Sequence, residues 1–179
     1  MSEQMSFVYV ALTGHVLSVI TSVGKAATPL TPQDLASSTL SVRFVPDEND
    51  HFENKARFYL APEELGVFMA DKIDAALFEP RSYYFDADKK KVQTLPMTSI
   101  VKVTSIASSG ITVDLGVSAV ADTNVLVAYA GSDPSKSEIA TGKVTIGTQT
   151  TNVPATPLPS GSYILTLAEG YLPRIHAVP

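Results

Sequence analysis

Five short stretches of the last 84 residues, 97–106 (MTSIVKVTSI), 111–117 (ITVDLGV), 124–130 (NVLVAYA), 143–149 (KVTIGTQ) and 162–168 (SYILTLA), are rich in Val, Ile, Thr and Tyr and are set apart by clusters of Gly, Ser, Asp, Asn and Pro. Branched and aromatic side chains pack well on a pleated strand, and turn residues at each interruption return the chain on itself. The pattern predicts short antiparallel strands joined by turns. A segment of this kind serves as scaffold or binding face, because it contains few groups able to do chemistry.

The whole chain of 179 residues is 45% apolar and 17% charged, enough to bury a core of its own. With 13 basic and 18 acidic residues its net charge is -5, the wrong sign for neutralising phosphates, and the only basic run is Lys89–Lys90–Lys91. Nucleic acid is therefore not an expected partner. The absence of cysteine excludes disulfides, Cys-type zinc sites and iron–sulfur clusters, and no other cofactor is expected. The opening MSEQMS is acidic, and the apolar stretch 7–23 is interrupted by Thr13, Gly14, His15, Ser18, Thr21 and Ser22. Neither a secretory signal nor a membrane span is expected, which leaves the cytoplasm, or release as part of an assembly, as locations.

Residues 1–95 hold 9 basic and 13 acidic side chains, whereas residues 96–179 hold 4 and 5, with 21 Ser and Thr instead. This shift near Leu95–Pro96 predicts two β-rich subdomains, 1–95 and 96–179. In the first, strands are expected at 7–12, 16–21, 39–45 and 56–60. Thr31–Pro32–Gln33–Asp34 reads as a capped helical turn. Pro62–Glu63–Glu64 repeats that chemistry, and Leu65, Phe68, Met69, Ile73, Ala76 and Leu77 continue it at helical spacing as far as Pro80. Gly66 and Val67 argue against that helix. Residues 82–85 and 91–95 flank Asp86–Ala87–Asp88–Lys89 as a hairpin with a charged tip. The expected fold is mainly β, antiparallel and sandwich- or barrel-like, with one amphipathic helix near 62–78 as a lid.

The best metal candidates are Asp47, Asn49, Asp50, His51 and Glu53, which offer oxygen and imidazole ligands within one acidic loop. The loop lacks the glycine and terminal glutamate of an EF-hand, so a solvated connection is expected, with no metal needed for folding. Asp86 with Asp88, and Glu63 with Glu64, suit a turn tip and a helix start better than a catalytic pair, which needs unequal environments in a cleft. His15, His51 and His176 fall in a turn, an acidic loop and the C-terminal tail, and no G-x-S-x-G elbow accompanies them. Gly24–Lys25 lacks the rest of a phosphate-binding loop. Arg81, Tyr83 and Tyr84, next to Phe85, are the candidates for binding a sugar or a peptide, although alternation along a strand sends Tyr83 and Tyr84 to opposite faces.

Residues 144–175 contain Thr156–Pro157–Leu158, then Pro159–Ser160–Gly161–Ser162–Tyr163 opening an alternating strand, then Glu169–Gly170–Tyr171–Leu172–Pro173. This stretch, 32 of 179 residues, resembles the end of PEGA-type and carboxypeptidase-regulatory-like β-sandwich modules. The resemblance implies a small non-catalytic sandwich and transfers no functional residue.

The function expected from these features is that of a non-catalytic structural or interaction protein, a subunit of a phage-tail-like, virion or surface assembly. A glycan- or peptide-binding module is the alternative, and an enzyme ranks third. A homo-oligomer, or one subunit of a larger assembly, is expected because the strands at 111–117 and 124–130 lack the lysines and prolines that guard sheet edges, so one of them should pair with, or lie under, a neighbouring chain.

Overall fold

The computed structural model describes residues 4–21, 31, 34, 40–44, 56–96, 101–107, 110–130, 137–155, 158 and 160–178. The metal candidates Asp47 to Glu53 and Gly24–Lys25 lie outside them. The described strands are, in chain order, β1 (Gln4–Val10), β2 (Val16–Thr21), β3 (Leu40–Phe44), β4 (Ala56–Leu60), β5 (Leu65–Asp71), β6 (Tyr83–Asp86) and β7 (Lys91–Thr94). They continue with β8 (Lys102–Ala107), β9 (Gly110–Asp114), β10 (Thr123–Ala130), β11 (Ser137–Val144), β12 (Thr150–Val153), β13 (Tyr163–Ala168) and β14 (Arg174–Ala177). Every pairing is antiparallel, in sheets ordered β2-β1-β5, β11-β10-β13-β14 and β12-β9-β8, with two-stranded β3-β4 and β6-β7. The fold is mainly β, as its composition predicts.

The middle strands of the four-stranded sheet, β10 and β13, are continuous apolar runs because both of their faces are covered. Val125, Val127, Ile164 and Ala168 pack with Ile111, Val113 and Val153 of the β12-β9-β8 sheet. On the opposite face Leu126, Ala128, Leu165 and Leu167 pack with Val8, Val10 and Leu17 of β1 and β2 and with Phe58 and Leu60 of β4. The sheet carrying β1 is covered in its turn: Met5, Phe7 and Val16 lie beneath Tyr83 of β6 and Ala76 of a five-residue helix, α1 (Asp74–Phe78). The sheets thus stack face to face, with α1 and the β6-β7 hairpin as the outermost cover.

The core around Leu165 draws side chains from both sides of Pro96. Leu165→Ala is expected to cost about 2–5 kcal/mol through lost burial and a residual cavity, and to lower one common thermal transition. Probes placed in 1–95 and in 96–179 check this; a transition that splits in two would mark the segments as separate folding units.

Several local expectations are corrected. The helix near 62–78 shrinks to α1 at its end: residues 62–64 make one 3-10 turn and residues 65–71 are β5, paired with β1 from Gln4 opposite Asp71 to Val10 opposite Leu65. Gly66 costs about 1 kcal/mol in a helix, and on β5 it has a use, since a Cβ there would lie 2.3 Å from Tyr9 Cζ. The Tyr9 ring lies across the bare glycine, which binds the two strands together. The capping chemistry at this point survives as a single bond, the Ala61 N–H donating to Glu64 Oε2 at 3.0 Å. At Thr31 the predicted cap is present, with the Asp34 N–H donating to Thr31 Oγ1 at 3.2 Å and the Asp34 carboxylate accepting from the Thr31 N–H and hydroxyl, both at 2.7 Å.

The stretch 143–149 is not one strand, because the chain turns at Gly147, whose φ is +81, before β12 begins. The C-terminal tail that contains His176 is the strand β14. The segments thought to lack edge protection are internal: β9 lies between β12 and β8, and β10 between β11 and β13. The exposed outer strand β8 carries a register shift between Val103 and Ser105, a bulge of the kind that keeps an edge from pairing with a stranger.

Candidate functional site

The proposed binding trio is divided by the sheet. Tyr83 is buried against Phe7 and Val16, whereas Tyr84 stays half-buried, its hydroxyl accepting from Gln93 Nε2 at 3.4 Å. Arg81 sits in the 3-10 turn Pro80–Ser82, where burial draws its guanidinium below the usual arginine range. Phe85, next in sequence, stacks at tilted angles with Tyr9 and Phe68, at ring-centroid separations of 4.6 and 4.5 Å. Of the neighbouring acids, Asp86 accepts from the Lys89 N–H at 3.0 Å, from Lys89 Nζ at 2.7 Å and from Gln93 Nε2 at 2.6 Å. Asp86 therefore closes the β6-β7 hairpin.

His15 occupies the turn of the β1-β2 hairpin but is 1% exposed. Its Nε2 lies 2.7 Å from the carbonyl oxygen of Tyr171, and its Nδ1 lies 2.9 Å from Thr13 Oγ1. A carbonyl can only accept, so Nε2 carries the proton and Nδ1 accepts from the threonine hydroxyl. Burial pushes the imidazole down to about 4, against a weaker upward pull from the Tyr171 bond. The ring is a neutral clasp between the first hairpin and the turn before β14.

Thr166 Oγ1 and His176 Nε2 are buried without hydrogen-bond partners on one face of β13 and β14. No bond joins them, so the imidazole does not activate the hydroxyl. Burial, with Arg174 nearby, holds His176 below its usual range. Among the described residues no group of three or more His, Asp and Glu side chains is placed to hold a metal ion, and no helix is long and apolar enough to cross a membrane.

The least ordinary surface lies at one end of the stacked sheets, where loops 115–122 and 145–149 meet. Three backbone bonds tie them: Leu115 N–H to Gln149 O at 3.0 Å, Ala119 N–H to Thr148 O at 2.7 Å and Gly147 N–H to Ala119 O at 2.8 Å; a fourth, Thr148 N–H to Thr145 O at 2.9 Å, closes the second loop on itself. The Asp122 carboxylate adds an acceptor for the Ile146 N–H at 3.0 Å. Asp114 accepts from the Gly116 N–H at 2.7 Å and from Gln149 Nε2 at 2.8 Å. On this bonded frame Val120 is 92% exposed, and Val117 and Ile146 are each 60% exposed. Phe78 and Leu77, at the end of α1, form a second and smaller exposed apolar spot. Single exposed apolar residues are ordinary; three on two loops that are bonded to each other are less so. Sequence reasoning missed the three because Val117 and Ile146 fall inside the expected strands 111–117 and 143–149, and Val120, between Ala119 and Ala121, falls in the connection between strands.

No family model, no curated protein and no solved structure matches the chain.

Proposed function

We propose that the chain is a non-catalytic structural or interaction protein, a subunit of a larger assembly of the phage-tail-like, virion or surface kind. The observation that carries this reading is the braced apolar end formed by Val117, Val120 and Ile146. Exposing three aliphatic side chains on loops fixed by backbone bonds costs solubility and contributes nothing to the cores, and a partner that covers them offsets that cost. The ionisable groups point the same way. The most strongly perturbed of them, His15, is sealed inside the protein and bonded at both nitrogens. The PEGA-like resemblance of residues 144–175 agrees, since those modules are non-catalytic.

Velocity sedimentation of an extract from the source tests the reading. The chain is expected in a large particle at fixed stoichiometry; recovery of all of it at the position of a free 19.0 kDa protein would refute assembly.

A further inference from the structure

We infer that the braced apolar end is a self-contact surface, on which a second copy of this chain docks end to end. The inference rests on the assembly reading above and names the occupant of that site. Strand registers place Lys102 opposite Asp114, Thr150 opposite the same Asp114, and Thr123 opposite Val144, so β8, β9, β12, β10 and β11 all begin or finish at this end. Among the described residues, the charges that these registers and bonds place there are Lys102, Lys143 and Arg174 against Asp114, Asp122 and Glu169. Three of each sign sum to zero, in a chain whose net charge is -5.

Two copies approaching through this end therefore meet no excess of either sign among its described residues. The signs are also interleaved: Lys143 Nζ lies 3.6 Å from Asp122 Oδ2, and Asn124 Nδ2 donates to Glu169 Oε2 at 3.1 Å. A two-fold contact requires one surface to be complementary to itself, and an apolar centre within a rim of alternating charge satisfies that where a one-signed rim does not.

The size of the patch sets the strength. The three side chains expose on the order of 350 Å² per copy, less than half of the ~800 Å² per partner of a standard stable interface. The pairing is weak alone and becomes effective when an assembly holds copies beside one another.

Sedimentation velocity of the full chain from about 10 µM to about 1 mM covers the range of weak association. The weight-average mass is expected to rise above 19.0 kDa toward the dimer value, and the double variant Val120→Asp, Ile146→Asp to stay at the monomer value. Both side chains are exposed, so an unchanged thermal melt confirms that the variant folds. A wild-type chain that stays monomeric throughout overturns the inference, as does an equal rise in the variant. Flotation with phosphatidylcholine–phosphatidylglycerol vesicles that the double variant abolishes would assign the end to a lipid surface and also overturn it. None of these failures touches the extract sedimentation, which tests the assembly reading separately.

Discussion

Gly14→Ala is expected to destabilise the protein by about 3–5 kcal/mol, a large part of the 5–15 kcal/mol that holds a domain together. Two costs combine. Gly14 has φ +75, a left-handed conformation that costs a residue with a Cβ roughly 1–2 kcal/mol. A Cβ there would also lie 2.3 Å from the Phe85 carbonyl oxygen and 3.3 Å from its carbon, and these are backbone atoms that no rotamer change can move. The strand cannot withdraw cheaply either, because the Phe85 N–H donates to Gly14 O at 2.7 Å and Phe85 stacks with Tyr9 and Phe68. Gly170→Ala separates the two costs: its φ is +79, but no atom lies within 4 Å of the added carbon, so only the conformational cost of about 1 kcal/mol remains. Urea unfolding of both variants checks the contrast, and equal losses would remove the close approach of β6 to the turn as the cause.

Acid is expected to weaken the fold through His15 well before the carboxylates are reached. In the unfolded chain the imidazole titrates at its ordinary 6.5, and in the folded protein at about 4. Between these values the unfolded state binds the extra proton, so the contribution is fully present above about pH 6.5, is lost as the pH falls toward 4, and changes no further below that. At about 1.4 kcal/mol per unit the loss is on the order of 3 kcal/mol. His176, also lowered, adds in the same direction. Glu64 opposes it near its ordinary 4.5, because burial raises its pKa and protonation then favours the folded state. Asp86 is lowered from 3.8 by its bonds to Lys89, so its contribution disappears only at lower pH. In His15→Gln an amide can donate to Tyr171 O and accept from Thr13, and the slope of stability between pH 6.5 and 4 should flatten. His176→Asn removes the other lowered imidazole and so separates its share of the slope from that of His15. A His15→Gln protein that keeps the full slope would show that the loss arises elsewhere.

The strands β10 and β13 could be read from residue types alone, because burial on both faces leaves nearly continuous apolar runs such as NVLVAYA and YILTLA, the second interrupted only by Thr166. The hairpins β1-β2 and β6-β7 were equally legible, since their turns hold Thr13–Gly14–His15 and Asp86 to Lys89. β5 was not: LGVFMAD places apolar residues at both periods, and its deciding partner, Tyr9, is far away in sequence. His15 illustrates the same limit. A histidine after Thr-Gly reads as part of a solvent-facing turn, because nothing local shows that its acceptor is a carbonyl 156 residues onward. The exposed apolar end was hidden because exposure of Val120 and Ile146 depends on how two loops meet, a property of neither segment alone.

The core beneath the four-stranded sheet has a consequence for how the chain is made. Its earliest members, Val8, Val10 and Leu17, emerge from the ribosome long before the last, Ile175. At about 5–20 residues per second the interval is roughly 8–30 s, far longer than hairpin formation needs. Throughout that time β1 and β2 can pair with each other, but they have nothing to cover the face that Leu165 and Leu167 will occupy. The nascent chain thus presents a sticky sheet to its surroundings until its final strands appear, and holdase chaperones that shield this face during translation would govern its yield.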